Sequence, residues 1–433
     1  MTDTTYLKKS ESESIEVDQE VTDTVRTILD EVRNRGDEAV AEYTQKFDGI
    51  DLDTFKITTD EIEAAAGRLD SDEREAIENT VANVREFHEE QRGHIESFEK
   101  EFKPGIKMGQ RVLPIETAGI YVPGGRHPLV ASPAMTIVPA NVAGVDRVVA
   151  CAPPQDDGTI QPAQLYAMEQ AGVDEVYCIG GSQAIGSMAY GTETVPEVDV
   201  VAGPGNVFTT EAKRQVYGHV GVDFLAGPTE VLIIADETAD AELVATDLLA
   251  QAEHDPNSSA TFVSLDRDLA GAVESEIQAQ LPTIDTEEVA RESWENNGEV
   301  VVVDSKEDAI DLANEYAMEH VQVMTDEPRS YVDALRNYGS LFLGEHAPVV
   351  FGDKAVGTNH CLPTKRVARY SSGIWVGTYL KTPTHQELTA EGAAQIAPWA
   401  AKICELEGTH AHQISAEKRE RPTGEIGAPP VDD

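Results

Sequence analysis

The fold is decided by the segment that begins Gly119-Ile-Tyr-Val-Pro-Gly-Gly125. This short apolar run stops at a pair of glycines, and after it similar runs alternate with helix-like segments. The later runs lie at 147–151, 175–179, 198–201, 231–234, 262–265, 300–303 and 340–343. Buried parallel strands read as continuous apolar runs that are joined by helical crossovers. The alternation of apolar runs and helix-like segments therefore predicts two parallel α/β layers, one over about 121–227 and the other around 231–344.

The segments on either side of these layers read differently. In front of them, Val25, Ile28 and Val32 recur at helical spacing, and Gly36 follows as an expected C-terminal cap. A similar stripe at 77–87 predicts that the chain from 21 to about 100 is mainly helical, and we expect these helices to fold back against the later layer. Behind the layers, residues 419–433 are rich in Pro, Gly and acidic residues, which predicts a loose tail.

The composition is strongly acidic. Asp and Glu number 79 against 33 Lys and Arg, which gives a net charge of −46 that is spread over the whole chain. Such a surface repels the phosphates of nucleic acid and of anionic lipid, so neither is expected as a partner. Distributed charge of this size keeps a protein soluble in concentrated salt, and a high-salt cytoplasm is the simplest explanation.

The sequence also indicates where the protein works. It has no apolar run of 18 or more residues, and residues 1–18 lack the basic and apolar parts of a signal peptide. The four cysteines, Cys151, Cys178, Cys361 and Cys404, lie far apart and form no CxxC pair, so neither a disulfide framework nor a thiolate zinc site is indicated. We expect a cytoplasmic protein that is neither exported nor anchored.

Glycines mark the ends of three predicted strands of the earlier layer, at 121–125, 180–186 and 203–206. In a parallel sheet such turns lie at the carboxyl edge, where ligands bind and where a missing Cβ lets the backbone approach a phosphate. The turns therefore indicate a nucleotide site. None of them is a GxGxxG, so ordinary strand-to-helix turns are the alternative.

Two side chains near the end of a predicted helix at 241–254, Gln251 and His254, are candidates for holding a metal ion. Residues three apart share one face of a helical turn, so an imidazole nitrogen and an amide oxygen could reach the same ion. A histidine that interacts with the negative end of the helix dipole is the alternative.

Acidic and histidine side chains occur together in two further places. Glu319 and His320 lie between a predicted helix and a predicted strand, and could serve as two proton acceptors, which an oxidation in two stages needs. Glu407, His410 and His412 lie within six residues and could bind a metal ion. A surface pair and a solvated turn are the respective alternatives.

A glycine-rich loop at 352–360 carries Asp353 and His360. Loops hold a carboxylate and an imidazole for ligands more often than for packing. The neighbouring Cys361 offers a thiolate nucleophile as a further option, although its apolar neighbour Leu362 favours an inert buried thiol.

Taken together, these segments resemble the histidinol dehydrogenase family. The resemblance extends over about 23–415 and rests on the order and spacing of separated blocks. The blocks are Gly119-Ile-Tyr-Val-Pro-Gly-Gly125, Gly203-Pro-Gly-Asn206, Thr210-Glu-Ala-Lys-Arg-Gln215, Ala226-Gly-Pro-Thr-Glu230, Gln251-Ala-Glu-His254, Glu319-His320, Gly357-Thr-Asn-His-Cys-Leu-Pro363, and Glu407 with Ala411-His412. This resemblance, more than composition or periodicity, carries the expected function.

The resemblance implies a zinc- and NAD-dependent enzyme that oxidises L-histidinol through L-histidinaldehyde to L-histidine. His320 would act as the general base and Glu319 as the base that activates water, while zinc orients the substrate. One zinc ion per subunit would be held by Gln251, His254, Asp353 and His412, and NAD would be contacted by Tyr121, Gln183 and Asn206. The implied substrate contacts are Thr229, Gln251, His254, Glu319, His320, Asp353, His360, Glu407 and His412.

The expected architecture is a pair of Rossmann-like parallel α/β domains with helical N-terminal and C-terminal segments. An N-terminal arm at 1–20 precedes a discontinuous α/β domain at 21–120 and 230–378. The NAD-binding α/β domain covers 121–229. A helical segment at 379–418 is implied to form a homodimer with shared active sites, so that the cluster from Glu407 to His412 reaches the partner subunit.

The sequence departs from the family pattern at two positions. Thr229 replaces the usual Ser and keeps its hydroxyl, while Met318 replaces the usual Pro before the Glu-His pair.

Two other functions are alternatives to this one. The closest alternative is a related zinc- and NAD-dependent dehydrogenase of another small alcohol, such as a sulfonated diol; the carboxylate of Glu407 favours a cationic amine instead. A different class is an acidic metal-buffering or structural protein with a relic nucleotide fold.

Overall fold

The computed structural model describes residues 5–10, 19–52, 54–124 and 128–420. The expected tail beyond residue 420, Gly125 of the first glycine turn, and residues 1–4 and 11–18 of the expected arm lie outside these residues. Within the described ranges no helix has the length and apolar character that crossing a membrane needs.

The described residues form alternating strands and helices. The strands are β1 (Thr5–Lys8), β2 (Phe98–Lys103), β3 (Ile106–Gln110), β4 (Leu113–Pro114), β5 (Thr117–Tyr121), β6 (Arg147–Ala152), β7 (Glu175–Cys178), β8 (Val200–Ala202), β9 (Gly221–Val222), β10 (Glu230–Ala235), β11 (Ser259–Ser264), β12 (Glu299–Val302), β13 (His320–Met324), β14 (Ser340–Leu343), β15 (Leu380–Lys381) and β16 (Thr384–Leu388). The α-helices are α1 (Gln19–Arg35), α2 (Asp37–Asp48), α3 (Thr59–Ala66), α4 (Ser71–Gly93), α5 (Ser132–Ala143), α6 (Pro162–Ala171), α7 (Gly181–Tyr190), α8 (Val207–Val216), α9 (Ala241–Ala252), α10 (Arg267–Gln280), α11 (Glu287–Asn297), α12 (Lys306–Tyr316), α13 (Val349–Lys354), α14 (Ala390–Glu407) and α15 (His410–Glu417).

Two parallel sheets belong to one compact unit, which covers 5–92 and 115–379 among the described residues. The first sheet has the strand order β7-β6-β5-β8-β9, and all of its pairs are parallel. Its order reverses at β5, because β6 and β7 extend to one side and β8 and β9 to the other. The crevice at such a reversal is the usual binding place of a doubly wound α/β fold.

The second sheet has the strand order β1-β12-β11-β10-β13-β14. Its pairs are parallel except that the edge strand β1 joins β12 in antiparallel direction. Alternate residues of β10 enter two different cores, with Val231 and Ile233 in one and Leu232 and Ile234 in the other. Both faces of the strand are therefore buried, which explains why its sequence is a continuous apolar run. The predicted α/β fold class with two parallel sheets is confirmed.

The packing of the early helices was predicted wrongly. Val25 and Ile28 of α1 share a core with Val149 and Ile179, so α1 lies on the first sheet and not on the second. The same core contains residues of α2, α7 and α8. An apolar stripe shows that a helix has a face to bury, but it does not show which sheet receives that face.

A second compact unit consists of 93–114 and the described residues from 380 onward. It contains the antiparallel sheet β16-β3-β2, the short pair β15-β4, and the helices α14 and α15. The prediction that the chain is mainly helical to about residue 100 was thus wrong from Phe98 onward, where β2 begins. The segment predicted as helical at 379–418 begins instead with the strands Leu380–Lys381 and Thr384–Leu388. The strands at 380–381 and 384–388 pair with distant segments, whereas Phe98–Lys103 pairs with the neighbouring β3. The side chains of β2 and β16 are mostly exposed, so no apolar alternation marks these strands in the sequence.

Candidate active site

The first group of candidate residues lies at the amino edge of the second sheet. β10 and β13 are neighbours, and the register pairs His320 with Val231. Thr229 and Glu230 therefore lie beside Glu319 and His320, where the two strands begin. We use the name acid–base cluster for the residues Thr229, Gln251, Glu319, His320 and Asp353.

Glu319 is buried and its carboxylate is held by two donors. The hydroxyl of Thr229 donates to Oε2 at 2.5 Å, and the backbone N–H of Glu230 donates to the same oxygen at 3.0 Å. Burial raises the pKa of Glu319 to about 7, against the opposing charge of His320. A carboxyl group with such a pKa can both release and accept a proton near neutral pH.

His320 lies between two carboxylates. Its Nδ1 is 3.0 Å from the carbonyl oxygen of Glu230, and its Nε2 is 3.3 Å from Oδ1 of Asp353. Burial acts to lower the pKa of His320, but the charges of Glu319 and Asp353 outweigh it and raise the pKa to about 9. Because a carbonyl oxygen only accepts, Nδ1 carries a hydrogen and Nε2 is the nitrogen that can exchange a proton.

Gln251 extends the cluster from α9. Its amide nitrogen donates to the hydroxyl oxygen of Thr229, which in turn donates to Glu319. The threonine that replaces the family's usual serine therefore links the glutamine to the acid, and its hydroxyl makes both contacts.

His254 lies just beyond α9, which ends at Ala252 and not at residue 254 as predicted. Burial lowers the pKa of His254, so the ring is neutral and offers a lone pair. The charges of Lys354, Asp353 and His320 all act on this ring, which places it beside the acid–base cluster. The predicted pair of Gln251 and His254 thus does lie at one end of the cluster.

Asp353 and His360 come from α13 and the loop that follows it. Nδ1 of His360 is 2.8 Å from the backbone oxygen of Asp353, and Nε2 is 3.0 Å from Oγ of Ser132. Burial acts to raise the pKa of Asp353, but the nearby His320 outweighs it and lowers the pKa to about 2. Asp353 is therefore ionised, while burial lowers the pKa of His360 and favours its neutral form.

The glycine-rich loop is fixed by its neighbours. The amide nitrogen of Asn359 donates to the backbone oxygen of Met135 at 2.6 Å, and its amide oxygen accepts from the N–H of Cys361 at 2.8 Å. Cys361 itself is 1% exposed, and burial raises the pKa of its thiol well above the usual value. A buried thiol of this kind is inert, so the structure disfavours the thiolate mechanism.

The remaining predicted residues lie in the second compact unit. Glu407 ends α14, and His410 and His412 lie in α15. All three residues are exposed. Across the described part of the chain, no three His, Cys, Asp or Glu side chains form a group that could hold a metal ion. The predicted ligand role of His412 and the substrate role of Glu407 stay predictions.

The three predicted NAD contacts line one cavity at the carboxyl edge of the first sheet, and we call this cavity the cofactor cleft. Its volume is about 1130 Å³, and Tyr121, Gln183 and Asn206 all lie in its wall. Tyr121 ends β5, Gln183 lies in the first turn of α7, and Asn206 caps α8 with its side chain. The cleft therefore lies where the strand order of the sheet reverses.

Two buried charges that the sequence did not reveal hold the Gly203 turn of this cleft. Asp223 accepts a hydrogen bond from the N–H of Gly203 at 2.9 Å, and Lys213 donates to its carbonyl oxygen at 3.0 Å. The two side chains also form an ion pair with each other. Gly203 has φ +117°, and a Cβ there would lie 2.2 Å from the backbone oxygen of Tyr121. Lys213 belongs to the sequence block that runs from Thr210 to Gln215, but nothing in the sequence pattern linked it to Asp223.

A doubly wound sheet with an open cleft at its reversal, together with a buried acid and histidine, is an arrangement found in enzymes of the α/β class. The model of the family described as histidinol dehydrogenase matches residues 11–420. The chain belongs to this histidinol dehydrogenase family.

Individual relatives agree with the family match. A histidinol dehydrogenase homolog of Shouchella clausii is 45% identical over 96% of this chain and 98% of its own length. The histidinol dehydrogenase of Methanothermobacter thermautotrophicus is 44% identical over 92% of this chain and 93% of its own. Among solved structures, that of histidinol dehydrogenase from Elizabethkingia anophelis has a TM-score of 0.90 and 35% identity, and 94% of each chain is covered.

Proposed function

We propose that this protein is a zinc- and NAD-dependent histidinol dehydrogenase that converts L-histidinol through L-histidinaldehyde to L-histidine, the last steps of histidine biosynthesis, in the cytoplasm. The observation that carries the proposal is the buried pair Glu319 and His320, each held by hydrogen bonds in a fixed orientation. An oxidation of an alcohol to an acid needs one base for the alcohol and one for the water that attacks the aldehyde. The family and its named relatives supply the substrate.

The residues present suit a zinc ion. His254 is neutral because burial lowers its pKa, Asp353 is ionised because its pKa is lowered, and Gln251 adds an amide oxygen. Nitrogen and oxygen donors of this kind are zinc ligands. We propose that these three residues hold the ion together with His412 of the partner subunit. Bound zinc would supply a positive centre that orients the nitrogen atoms of the substrate.

The cofactor cleft suits NAD. Its volume of about 1130 Å³ accommodates a dinucleotide, and Oε1 of Gln183 is buried there without a hydrogen-bond partner among the described residues. Tyr121, Gln183 and Asn206 remain the proposed contacts. Bound NAD would supply the acceptor for the hydride at each of the two oxidations.

The residues of this chain would then move the protons. Nε2 of His320 takes the proton of the alcohol, since Nδ1 is committed to the carbonyl of Glu230. In the chain alone, the charges of Glu319 and Asp353 keep His320 protonated. A cation bound to Asp353 would offset one of these charges and would favour the neutral imidazole, which is the form that can act as a base. The carboxylate of Glu319 then takes a proton from the water that attacks the aldehyde, while the hydrogen bond from Thr229 to Oε2 holds its orientation. Once His320 has released the alcohol proton to solvent, it can accept a hydroxyl proton from the aldehyde hydrate in the second oxidation.

The proposal includes a homodimer with shared active sites. Three large apolar residues, Trp399, Ile403 and Leu406, lie on one side of α14. In the single chain they are 61%, 53% and 74% exposed, respectively. Spacings of four and three residues make them one apolar stripe, which a second copy would cover. Glu407 and His412 lie beside that stripe in sequence and would enter the partner's site.

We also propose that the protein is adapted to high salt. A net charge of −46 repels itself, and added salt screens this repulsion. We expect the melting temperature to rise steadily as KCl is raised from 0.1 M to 2 M, because the screening length falls. A melting temperature independent of salt would remove this part of the proposal.

A steady-state assay tests the activity. Purified protein with zinc and NAD in concentrated KCl is supplied with L-histidinol, and NADH and histidine are measured. Two NADH per histidine are expected. A sulfonated diol is the matched competitor substrate; turnover of the diol with no turnover of histidinol would replace the proposed substrate.

A further inference from the structure

Asp48 carries a buried polar atom that the protein leaves without a partner. It is the last residue of α2 and lies in the wall of the cofactor cleft. Its Oδ2 atom is buried and has no hydrogen-bond partner among the described residues. Burying an unpaired carboxylate oxygen is costly, so a site that retains one is expected to satisfy it with a ligand. Burial also raises the pKa of Asp48, in agreement with its desolvation.

The strand order indicates which part of a dinucleotide would meet Asp48. In doubly wound folds the glycine turn after the first strand approaches the pyrophosphate, and an acidic residue near the second strand holds the ribose hydroxyls. The first strand here is β5 and the second is β6, whose following residues Pro153 and Pro154 line the cleft together with Asp48. The charge of Asp48 also acts on Cys178 at the end of β7. Asp48 therefore lies on the side of β6 and β7.

We propose that Asp48 accepts hydrogen bonds from the adenosine ribose hydroxyls of NAD and so selects NAD over NADP. This inference rests on the proposed use of NAD. A carboxylate has two oxygens that can accept from the neighbouring 2′- and 3′-hydroxyls, whereas it repels the 2′-phosphate of NADP.

The charge around the cleft acts in the same direction. Glu20, Asp156 and Asp157 line it together with Asp48, and the described part of the lining contains no Lys or Arg. Arg126 lies outside the described residues. NADP-binding folds place an arginine beside the 2′-phosphate, and a wall of four carboxylates provides the opposite environment.

Equilibrium binding tests the inference without requiring turnover. NAD and NADP are titrated by calorimetry into the full chain and into Asp48→Asn and Asp48→Ala variants, in concentrated KCl. Loss of a hydrogen bond to a charged group corresponds to roughly 10-fold to 100-fold in affinity, so the Kd for NAD should rise by at least about 10-fold. The Kd for NADP should stay equal or fall. Asp51→Asn, an exposed acid three residues further on, is the matched control and should change neither.

Other results of these titrations would contradict or redirect the inference about Asp48. An unchanged Kd for NAD in both variants, with a thermal transition showing that they are folded, would overturn the inference. A dinucleotide with hypoxanthine in place of adenine is a further probe, and the parent protein should bind it as well as it binds NAD. If the parent protein binds this analogue more weakly than NAD, by the same factor as Asp48→Ala weakens NAD binding, then Asp48 contacts the adenine amino group instead. Failure to oxidise histidinol while NAD still binds would contradict the proposed substrate and leave the Asp48 inference standing.

Discussion

The two parallel sheets carry their polar side chains at opposite edges. In the first sheet, Tyr121, Gln183 and Asn206 lie at the carboxyl edge around an open cavity of about 1130 Å³. In the second sheet, Glu319 and His320 lie at the amino edge, where β10 and β13 begin. The carboxyl edge is the usual ligand edge of an open α/β sheet, so the second sheet departs from the common pattern.

The two edges also differ in how their polar atoms are satisfied. In the cofactor cleft, Gln183 and Asp48 each keep a buried oxygen without a partner among the described residues. In the acid–base cluster, Glu319 and His320 are already bonded to the protein. The first arrangement suits a ligand that comes and goes, and the second suits groups whose orientation must be fixed before the reaction starts.

Replacing the acid of the cluster should have the largest effect. Glu319→Gln keeps the size of the side chain but removes a base, which typically contributes 10²-fold to 10⁴-fold. We expect oxidation of the aldehyde to slow by about 10³-fold while oxidation of the alcohol slows far less. Stopped-flow measurement of NADH with histidinol and with histidinaldehyde separates the two stages.

The control for this variant is Glu315→Gln, which changes an exposed acid four residues earlier. It should leave both stages unchanged. Equal losses of alcohol and aldehyde oxidation in Glu319→Gln would contradict the assigned role and point to a general disruption of the cluster.

The buried ion pair that holds the Gly203 turn should give the next largest effect. Asp223→Asn leaves Lys213 with an unpaired charge in a site where both side chains are almost fully buried. Breaking such a pair typically costs about 3–5 kcal/mol of folding free energy. Because the pair holds the turn before Asn206, the Kd for NAD should also rise. Urea unfolding and NAD titration measure the two effects.

The double variant Asp223→Asn with Lys213→Met sharpens this test. Removing both charges should recover much of the stability, since the unpaired charge is then absent. If the double variant recovers its stability but still binds NAD weakly, the ion pair positions the turn. If it recovers both stability and NAD affinity, the ion pair does not position the turn for NAD.

Much of the fold could be predicted from the sequence, and the reasons are specific. Continuous apolar runs such as 231–234 predict strands that are buried on both faces, and the structure places them there. The exposed strand Phe98–Lys103 gave no such signal, and its first residues fell within the stretch that was predicted to be mainly helical. The position of α1 on the first sheet was missed because an amphipathic stripe carries no information about its partner.

The candidate site was predictable in a different way. Gln251 and His254 were selected for their spacing, but Glu319 and His320 formed an ordinary dipeptide until the family blocks gave them a context. Neither Asp223 nor Asp48 could be singled out, because a lone Asp in the sequence does not show that its carboxylate is buried. Such roles depend on contacts between residues that are distant along the chain.

The hydroxyl of Thr229 should matter for orientation more than for binding. Thr229→Val keeps the shape of the side chain but breaks the link from Gln251 to Glu319. Loss of a hydrogen bond to a charged group costs about 1.5–3 kcal/mol, so kcat should fall roughly 10-fold to 100-fold with little change in the KM for NAD. Thr229→Ser keeps the hydroxyl and should retain most of the activity. Equal activity of Thr229→Val and the parent would show that Glu319 needs no such support.

The amino edge of the first sheet offers the smallest effect, and one on stability alone. Glu175 begins β7 and accepts hydrogen bonds from Lys56 at 2.6 Å, from Nε of Arg147 at 2.7 Å and from Tyr177 at 2.7 Å. Burial acts to raise the pKa of Glu175, but these donors outweigh it and lower the pKa to about 2. Lys56 and Arg147 are about half exposed, so the interaction is partly screened by solvent.

Glu175→Gln should therefore cost about 1–2 kcal/mol of unfolding free energy at pH 7, with no change in kcat. A lowered folded-state pKa stabilises the protein above the ordinary glutamate range near pH 4.5, and this contribution disappears as the pH falls from about 4.5 towards 2. The difference between variant and parent should shrink over that interval in urea titrations at constant salt. A difference independent of pH would mean that Glu175 acts through packing, and a loss of kcat would mean that the amino edges of both sheets take part in catalysis.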